Sequence, residues 1–260
     1  MNHRWQIILV GAGLANSLIA MRLKQCHPGL RILMLEAEAQ PGGNHCWSFH
    51  QSDITPAQHN WLKPLVAHCW QGYQVRFPAF TRSLAGGYNM ISSERLARVM
   101  RGVLKEALWT QTAVSHLTPQ SVTLADGQRL MADVVIDGRG WQPAAPFHTE
   151  SQAFLGQAWR LREPHGMSQP VLMDATVTQH GGYHFVYTLP LSEHTLFIED
   201  THYINGTVFN SRQARENIAC YAAANQWQLM AMEREEQGCL PITLGGCHHQ
   251  VLATKSGSAL

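Results

Sequence analysis

The fold is decided by the stretch Trp5-Gln6-Ile7-Ile8-Leu9-Val10-Gly11-Ala12-Gly13-Leu14-Ala15-Asn16, in which an apolar run leads into two closely spaced glycines. The next residues have the apolar spacing of an amphipathic helix, and a second apolar run, residues 32–35, ends at Glu36. Strand, glycine turn, helix, strand and acid in this order predict a βαβ unit that binds a dinucleotide. Gly11 permits the tight turn, Gly13 lets the backbone approach a pyrophosphate at the helix N-terminus, and Glu36 can accept a hydrogen bond from a ribose hydroxyl.

The composition is that of a globular protein with few charges. Of the 260 residues, 45% are hydrophobic and only 14% are charged, whereas about 25% is typical of soluble chains. We therefore expect part of the surface to face an apolar partner or a membrane.

The net charge of +1 gives no support for nucleic-acid binding. No apolar run is long enough to span a bilayer, and the first strand leaves no room for a secretory signal, which predicts a cytoplasmic protein.

The cysteines and histidines show no pattern typical of a metal site. The six cysteines have no ligand spacing and are expected to be reduced thiols, at positions 26, 46, 69, 220, 239 and 247. None of the 15 histidines forms a helical pair with a nearby acid, and His248-His249 lies in a polar tail. We therefore predict no metal site.

Periodicity along the chain predicts an α/β first half and a β-rich second half. Helices are predicted over residues 56–70 and from Ser92 through Leu108, and a further helix over 211–226. The helix at 56–70 has two interpretations, a membrane-surface anchor or a helix that faces the core. Predicted strands are Tyr73–Phe77, Tyr88–Ile91, Ala113–Leu117, Ser121–Leu124, Gln128–Met131, Val134–Ile136, Phe154–Arg160, Val171–Thr176, Tyr183–Leu189, Thr195–Thr201 and Cys239–Leu244.

The predicted fold class is α/β, with a Rossmann-like, three-layer dinucleotide-binding domain and an interleaved, mainly antiparallel β-sheet domain. We assign residues 1–150 to the first domain, with an inserted substrate-side segment at about 70–92. Residues 151–245 form the second domain, and residues 246–260 are a tail. Gly42-Gly43 and the strand that ends in Asp137-Gly138-Arg139-Gly140 favour FAD over NAD(P) in the first domain.

Seven segments carry a more specific signal: Ile8-Leu9-Val10-Gly11-Ala12-Gly13-Leu14-Ala15-Asn16, Gly42-Gly43-Asn44-His45, Trp47-Ser48-Phe49-His50, Tyr73-Gln74-Val75-Arg76-Phe77-Pro78, Val135-Ile136-Asp137-Gly138-Arg139-Gly140, Met173-Asp174-Ala175-Thr176 and Ile198-Glu199-Asp200-Thr201-His202-Tyr203. Together they resemble the bacterial lycopene cyclases, an FAD-containing family that closes the ends of acyclic carotenes. The similarity runs from residue 5 to about residue 245. The segments around Trp47 and Glu199 are far more specific than the glycine motif.

The resemblance implies a β-cyclase that converts lycopene to β-carotene, an isomerisation with reduced FAD as cofactor and NADPH as its reductant. The plant relatives' motif Phe-Leu-Glu-Glu-Thr matches Phe197-Ile198-Glu199-Asp200-Thr201, which makes Glu199 the general acid with Asp200 in support. The implied cofactor-binding residues are Gly11, Ala12, Gly13, Leu14, Glu36, Gly42, Gly43, Asp137 and Gly138. Because lycopene is too apolar to cross water, the resemblance also implies an enzyme that lies on the membrane. It implies no nucleic-acid partner and does not indicate the oligomeric state.

The chemistry asks for the same residue types independently. Protonating an alkene needs a neutral carboxylic acid, which burial or a like-charged neighbour can provide. Strand alternation places Glu199 and Asp200 on opposite faces, so only one of them can face the substrate. The resulting cation can be stabilised by aromatic rings, for which the candidates are Trp47, Trp159, Tyr183, Phe185 and Tyr187. Candidate proton relays are His45, His50 and His202, although core positions and structural histidines are the ordinary alternatives for all of these.

The resemblance also implies that family members continue beyond residue 245 with a strand, a glycine-rich segment and helices. We therefore expect this chain to be C-terminally truncated and to bind FAD weakly. Two alternatives to the cyclase stay open: a flavin-dependent monooxygenase or other oxidoreductase of the same fold, and an inactive remnant.

Overall fold

A computed structural model describes residues 5–140, 148–179, 181–206 and 208–245 of the protein. The predicted tail, with Cys247 and His248-His249, lies outside the described residues. Within the described ranges the chain forms two β-sheets and four α-helices. The helices are α1 Leu14–Cys26, α2 Pro56–Leu62, α3 Ser93–Leu104 and α4 Ser211–Ala224.

The strands alternate with the helices in the first half and dominate the second half. In chain order they are β1 Trp5–Val10, β2 Ile32–Leu35, β3 Cys46–His50, β4 His68–Phe77, β5 Phe80–Ser92, β6 Leu108–Trp109, β7 Val114–Thr118, β8 Ser121–Leu124, β9 Arg129–Asp137, β10 His148–Leu161, β11 Val171–Asp174, β12 His184–Pro190, β13 Thr195–Ile204 and β14 Leu229–Gly245.

The six-stranded sheet has the order β6-β2-β1-β9-β8-β7. Strand β1 lies at its centre and pairs in parallel with β2 on one side and β9 on the other. Helices α1 and α3 cover one face, where Leu9, Ala20, Met34, Leu96 and Met100 are buried together. Because the carboxyl ends of parallel strands meet at one edge, the turns after β1, β2 and β9 lie side by side. This sheet is the predicted Rossmann-like unit.

The eight-stranded sheet has the order β14-β10-β13-β12-β11-β4-β5-β3. Its pairs are antiparallel except for the parallel pair of β11 and β4. Helix α4 packs on one face against Leu155, Val186 and Ile198. The other face carries a second cluster that includes Trp70, Met90 and Phe197. The mainly antiparallel sheet predicted for the second half is therefore confirmed, and β3–β5 from the first half complete it.

The predicted helix over residues 56–70 is wrong beyond Leu62. A single 3₁₀ turn follows α2, and β4 begins at His68, so Trp70 is a strand residue. Pro64 ends the helix because proline has no N–H to donate to the helical hydrogen-bond ladder. Leu62 and Leu65 are buried in the core under α1 and α3. The core-facing interpretation of this segment is the one that fits.

Four further predictions differ from the structure. Helix α3 ends at Leu104 rather than Leu108, because Lys105 adopts a φ of +48° that α-helical geometry does not allow. Val134 was expected in a buried strand, but its side chain is 49% exposed. The runs predicted at 128–131 and 134–136 form one continuous strand, Arg129–Asp137, rather than two, and β14 extends N-terminally from the predicted 239–244 to Leu229. None of the described helices has the length and apolar content needed to cross a bilayer.

Candidate functional site

The turn between β1 and α1 has the geometry that its glycines predict. Gly11 has a φ of +88°, and a β-carbon there would lie 2.8 Å from the Gly138 carbonyl oxygen. At Gly13, the N-cap of α1, a β-carbon would meet no atom within 4 Å. Gly11 is therefore required by the fold, whereas Gly13 keeps space open in front of the first backbone amides of the helix.

Hydrogen bonds tie this turn to the neighbouring segments. The backbone amide of Ala12 donates to Glu36 Oε2 at 2.8 Å, and the amide of Gly42 donates to the Ala12 carbonyl at 2.9 Å. The buried side chain of Asn16 donates to the carbonyls of Val10 and Gly11 at 3.0 and 2.8 Å. The acid at the end of β2 and the glycine loop after it are thus held against the glycine turn.

The turn after β9 completes a cavity of about 410 Å³. Gly138 packs against the Asn16 side chain so closely that a β-carbon could not be accommodated. Arg139 forms an ion pair with Asp137, with its Nε 2.8 Å from Oδ1. Of the nine residues predicted to bind the cofactor, six line this cavity: Gly11, Gly13, Glu36, Gly42, Gly43 and Gly138. Ala12, Leu14 and Asp137 lie beside it without lining it.

These residues fit a dinucleotide. The helix N-terminus offers unshielded backbone amides, the two positive-φ glycines of the second loop bring backbone close, and Glu36 presents carboxylate oxygens at the end of β2. His45 and Trp47 close the cavity on the side of the second sheet. The arrangement therefore has the groups that hold a pyrophosphate and a ribose in dinucleotide-binding folds.

A second cavity, of about 420 Å³, lies on the face of the eight-stranded sheet away from α4. Glu199 lines it, and we call this space the Glu199 pocket. Six aromatic side chains contribute to its walls: Tyr88, Phe154, Phe185, Tyr187, Phe197 and Tyr203. The hydroxyl oxygens of Tyr88 and Tyr187 are 2.7 Å apart. An acid among aromatic faces is therefore what this pocket presents to a ligand.

Burial raises the pKa of Glu199 to about 8. The hydroxyl of Thr201 donates to Glu199 Oε1 at 2.8 Å and opposes the rise, while the carboxylates of Glu236 and Asp200 add to it. Removal from water disfavours the charged form of a carboxyl group, and a nearby like charge does the same. Glu199 is consequently a neutral carboxylic acid near pH 7, able to donate a proton.

Asp200 lies on the opposite face of β13. The pairing of β13 with β10 and β12 shows no register shift, so the predicted alternation of the two acids is confirmed. Asp200 is 0% exposed, and its oxygens lie 2.5 Å from His184 Nε2 and 2.7 Å from His202 Nε2. Asn217 of α4 donates to it at 3.1 Å. Burial alone would raise the pKa of Asp200, but these hydrogen bonds lower it, so Asp200 is an anion.

The hydrogen-bond partners of His184 require both of its ring nitrogens to be protonated, so His184 is a cation. Its Nδ1 faces the Thr178 carbonyl at 2.8 Å and its Nε2 faces Asp200, and both partners can only accept hydrogen bonds. Burial opposes the charge, yet the Asp200 carboxylate and the Thr178 carbonyl together raise the pKa of His184. The rings of His184 and His202 are 4.1 Å apart and nearly parallel. The possible ligand atoms of His184, Asp200 and His202 all lie within 4.8 Å of one another, close enough for a metal ion, but both rings already use Nε2 in a hydrogen bond to Asp200.

Strand β3 separates the two cavities. Its alternate side chains face opposite ways, so His45 and Trp47 line the dinucleotide cavity while Cys46 and Ser48 line the Glu199 pocket. Burial raises the pKa of Cys46 to about 12, which makes it a neutral thiol. The two cavities therefore share a wall one strand thick.

The remaining predicted residues divide between the cavities and the core. Phe185 and Tyr187 line the Glu199 pocket and Trp47 the dinucleotide cavity, but Trp159 packs in the cluster under α4. Tyr183 is exposed beside Tyr203. The ring of His50 contacts the rings of Tyr73 and Tyr88, both 5.0 Å away.

Two groups in or beside the Glu199 pocket were not predicted from the sequence. Glu236 lines the Glu199 pocket, and Arg234 contacts it and Cys46. Arg234 also lies over the Phe197 ring at 5.7 Å. Their strand, β14, is rich in charged residues between 233 and 236, which hid its β character; the paired acids Glu235-Glu236 were the available signal.

Comparison with known proteins gives consistent results. The sequence model of the family described as "Lycopene cyclase protein" matches residues 6–257. Lycopene beta-cyclase from Pseudescherichia vulneris is 55% identical over 240 residues, which are 92% of this chain and 62% of that protein. Lycopene beta-cyclase from Pantoea ananas is 52% identical over 246 residues, 95% of this chain and 64% of that protein. The chain thus spans somewhat less than two thirds of the length of these curated relatives.

The fold is shared with a monooxygenase of solved structure. The crystal structure of p-nitrophenol 4-monooxygenase from Pseudomonas putida DLL-E4 superposes with a TM-score of 0.65 at 12% sequence identity, covering 94% of this chain and 70% of that one. An identity this low establishes likeness of fold alone. The family match over nearly the whole chain, together with relatives above 50% identity, establishes more: the chain belongs to the lycopene cyclase family.

Proposed function

We propose that the protein is a lycopene β-cyclase, which converts the acyclic ends of lycopene to β-ionone rings and finally to β-carotene. The proposal is supported by membership of the family and by two relatives above 50% identity, both of them lycopene beta-cyclases. The reaction is an isomerisation: a proton adds to the terminal alkene, the carbocation closes on the neighbouring double bond, and a different proton leaves.

The observation that carries the proposal is the state of Glu199. A carboxyl group with a pKa of about 8 in an aromatic-walled pocket is protonated under ordinary conditions. An unactivated alkene takes a proton only from an acid that is both neutral and shielded from water. We assign Glu199 as the general acid. Asp200 supports Glu199 from the other face of β13, where it accepts hydrogen bonds from His184, His202 and Asn217.

The walls of the pocket suit a cationic intermediate. The rings of Phe185 and Tyr187 stand on the strand next to Glu199, and the Phe197 ring lies two residues before it. The negative face of an aromatic ring attracts positive charge, by about 2 kcal/mol or more when the site is dry. These side chains therefore exclude water from the cation and stabilise it at the same time.

We propose FAD as the cofactor, in its reduced form and with NADPH as reductant. Gly11, Gly13 and the Gly42-Gly43 loop would hold the pyrophosphate, and Glu36 the ribose; Ala12, Leu14, Asp137 and Gly138 support this turn region. When bound, reduced FAD supplies an electron-rich group that favours nearby positive charge. His45 and Trp47 stand between that cavity and the Glu199 pocket.

The test is an anaerobic assay with lycopene, chemically reduced FAD and the purified protein. We expect cyclised product without stoichiometric oxidation of FAD. Glu199→Gln should lower the rate by about 10²–10⁴-fold, the usual contribution of a general acid. Glu193→Gln, at an exposed position on the turn before β13, is the matched control and should leave the rate unchanged. Full activity of Glu199→Gln would remove Glu199 from this role.

The alternative is a flavin-dependent monooxygenase or related oxidoreductase, favoured by the fold shared with p-nitrophenol 4-monooxygenase. The same assay separates the two functions. Product that forms only with oxygen uptake and with one reduced cofactor consumed per turnover would establish the oxygenase and rule out the cyclase.

We further propose peripheral contact with the membrane that holds the substrate, supported by the 14% charged residues. Residues 1–150 would hold the cofactor and residues 151–245, with the segment at about 70–92, the substrate. Sedimentation with phosphatidylglycerol vesicles checks the membrane contact: protein that stays in the supernatant at low salt would contradict it.

A further inference from the structure

Glu236 is a second acid in the Glu199 pocket. Strand β10 lies between β13 and β14, and Gly156 of β10 pairs with Glu199 on one side and with Glu236 on the other. Residues paired directly across strands project from the same face of a sheet. The two carboxyl groups therefore stand in one row on the pocket side, two strands apart.

Between them the row contains no side chain. Gly156 presents bare backbone, and the Phe197 ring leans over it so closely that a β-carbon could not fit. Two strand spacings separate the backbones of Glu199 and Glu236 by about 9–10 Å. The Phe197 ring therefore fills the space over Gly156, and an apolar ring of a ligand that stacks on Phe197 would have a carboxyl group on either side.

The surroundings of the two acids differ. The Glu199 carboxyl receives a hydrogen bond from the Thr201 hydroxyl. Glu236 instead has the Arg234 guanidinium 3.4 Å from its Oε2. Burial raises the pKa of Glu236, and the Arg234 cation opposes that rise, whereas Glu199 has no cation beside it to favour its charged form. Two acids whose environments differ in this way are suited to opposite roles in proton transfer.

One carboxyl oxygen of Glu236 has an ion-pair neighbour, Arg234, but no hydrogen-bond donor. The residue is only 4% exposed, and its Oε2 accepts no hydrogen bond from the described residues. A buried carboxylate oxygen without a donor costs free energy unless a ligand uses it. The Glu236 side chain lines the pocket, so it can accept a proton that a ligand bound in the pocket releases.

Resting on the cyclase function proposed above, we propose that Glu236 is the base that accepts the proton leaving the newly closed ring. Glu199 gives its proton to the terminal double bond, and the neighbouring double bond supplies the electron pair for the new carbon–carbon bond. The carbon–hydrogen bond adjacent to the new bond then breaks; its electrons form the ring double bond and its proton goes to Glu236. One proton enters and one leaves, so no oxidant or reductant is consumed.

The test is the product distribution of Glu236→Gln in the anaerobic assay with lycopene and reduced FAD. Without this base the ring cation loses a proton from another carbon, so we expect β-rings to form about 10²-fold more slowly and rings with the double bond elsewhere to increase in proportion. Glu235→Gln is the matched control, because Glu235 faces α4 and pairs with Arg215; its product ratio should equal that of the wild type.

If Glu236 had a purely structural role, Glu236→Gln would lower the yield of every product equally and leave the ring ratio unchanged, and that result would overturn the inference. Wild-type β-ring formation by Glu236→Gln would overturn it as well. Glu236→Asp keeps the carboxylate and should therefore partly restore the formation of β-rings. If Glu236→Gln fails to fold, Glu236→Asp becomes the test. Because its side chain is shorter, a wild-type rate and ring ratio in Glu236→Asp would overturn the inference too. Failure of the cyclase proposal is distinct, since the wild-type protein itself would then give no cyclised product.

Discussion

Glu199 and Asp200 are adjacent in the chain, but their carboxyl groups lie on opposite faces of β13 and in opposite charge states. Glu199 faces an aromatic pocket with a hydroxyl as its hydrogen-bond donor, and Asp200 is fully buried against His184 and His202. The same burial that keeps the first acid neutral is overcome at the second by its donors. The pair is best described as one acid for chemistry and one anion for structure.

This division predicts unequal effects of neutralising the two acids on stability at pH 7. Asp200→Asn should destabilise the protein by about 3–5 kcal/mol, because it leaves the buried His184 cation without its carboxylate. Glu199→Gln should change stability by about 1 kcal/mol or less, since the acid is already neutral. Urea unfolding of the two variants and the wild type measures the difference. Equal losses would contradict the assignment of charge.

The pKa of Glu199 predicts the pH dependence of cyclisation. Because the proton donor must be neutral, the rate should fall about tenfold per pH unit above pH 8, where the pKa of Glu199 lies. The folded protein also binds this proton more tightly than the unfolded chain does. Stability should therefore decrease as pH rises from the ordinary value of 4.5 to about 8. Unfolding of the wild type and Glu199→Gln across this range checks the sign: the variant should lose less stability.

The cation at His184 predicts a second pH effect. Its pKa is raised in the folded protein, so its stabilising contribution is complete below the ordinary value of 6.5 and is lost as pH rises through the folded value. The lowered pKa of Asp200 acts at the acidic end, where stability is lost as pH falls below 3.8 through the folded value. Histidine ring resonances in NMR at pH 7 should show His184 protonated on both nitrogens. A neutral His184 ring would contradict the charge assigned to it from its hydrogen-bond partners.

Gly11 and Gly13 should respond differently to alanine. Gly11→Ala places a residue with a β-carbon at φ +88° against the Gly138 carbonyl, and we expect a loss of about 1–3 kcal/mol in stability. Gly13→Ala meets no atom within 4 Å, so the fold should be retained while FAD binds more weakly. Thermal unfolding and titration of FAD fluorescence separate the two effects. Unchanged FAD affinity of Gly13→Ala would argue against a pyrophosphate at this helix.

Local sequence was sufficient for the dinucleotide cavity. Gly11, Glu36 and the Gly42-Gly43 loop lie within about 30 residues, and their roles follow from turn geometry and strand order, which are short-range properties. The alternation of Glu199 and Asp200 also follows from strand period alone. The apolar spacing at 56–70 misled, because a buried strand such as the one containing Trp70 can continue helical spacing by chance.

The partners of the two acids could not be predicted in this way. Glu236 reaches the Glu199 pocket only because β10 inserts between β13 and β14, and that strand order depends on long-range pairing. His184 and Asn217 meet Asp200 through the β12–β13 register and the packing of α4. Register and docking are set by the burial of whole faces, so no motif in the chain records them.

The thin partition formed by β3 has a consequence for how ligands communicate. Because Trp47 and Ser48 are consecutive residues of one extended strand, a displacement of the strand toward one cavity is a displacement away from the other. A ligand that displaces β3 would therefore change the width of both cavities at once, and the indole of Trp47, which lines the dinucleotide cavity, is placed to report such a displacement by its fluorescence.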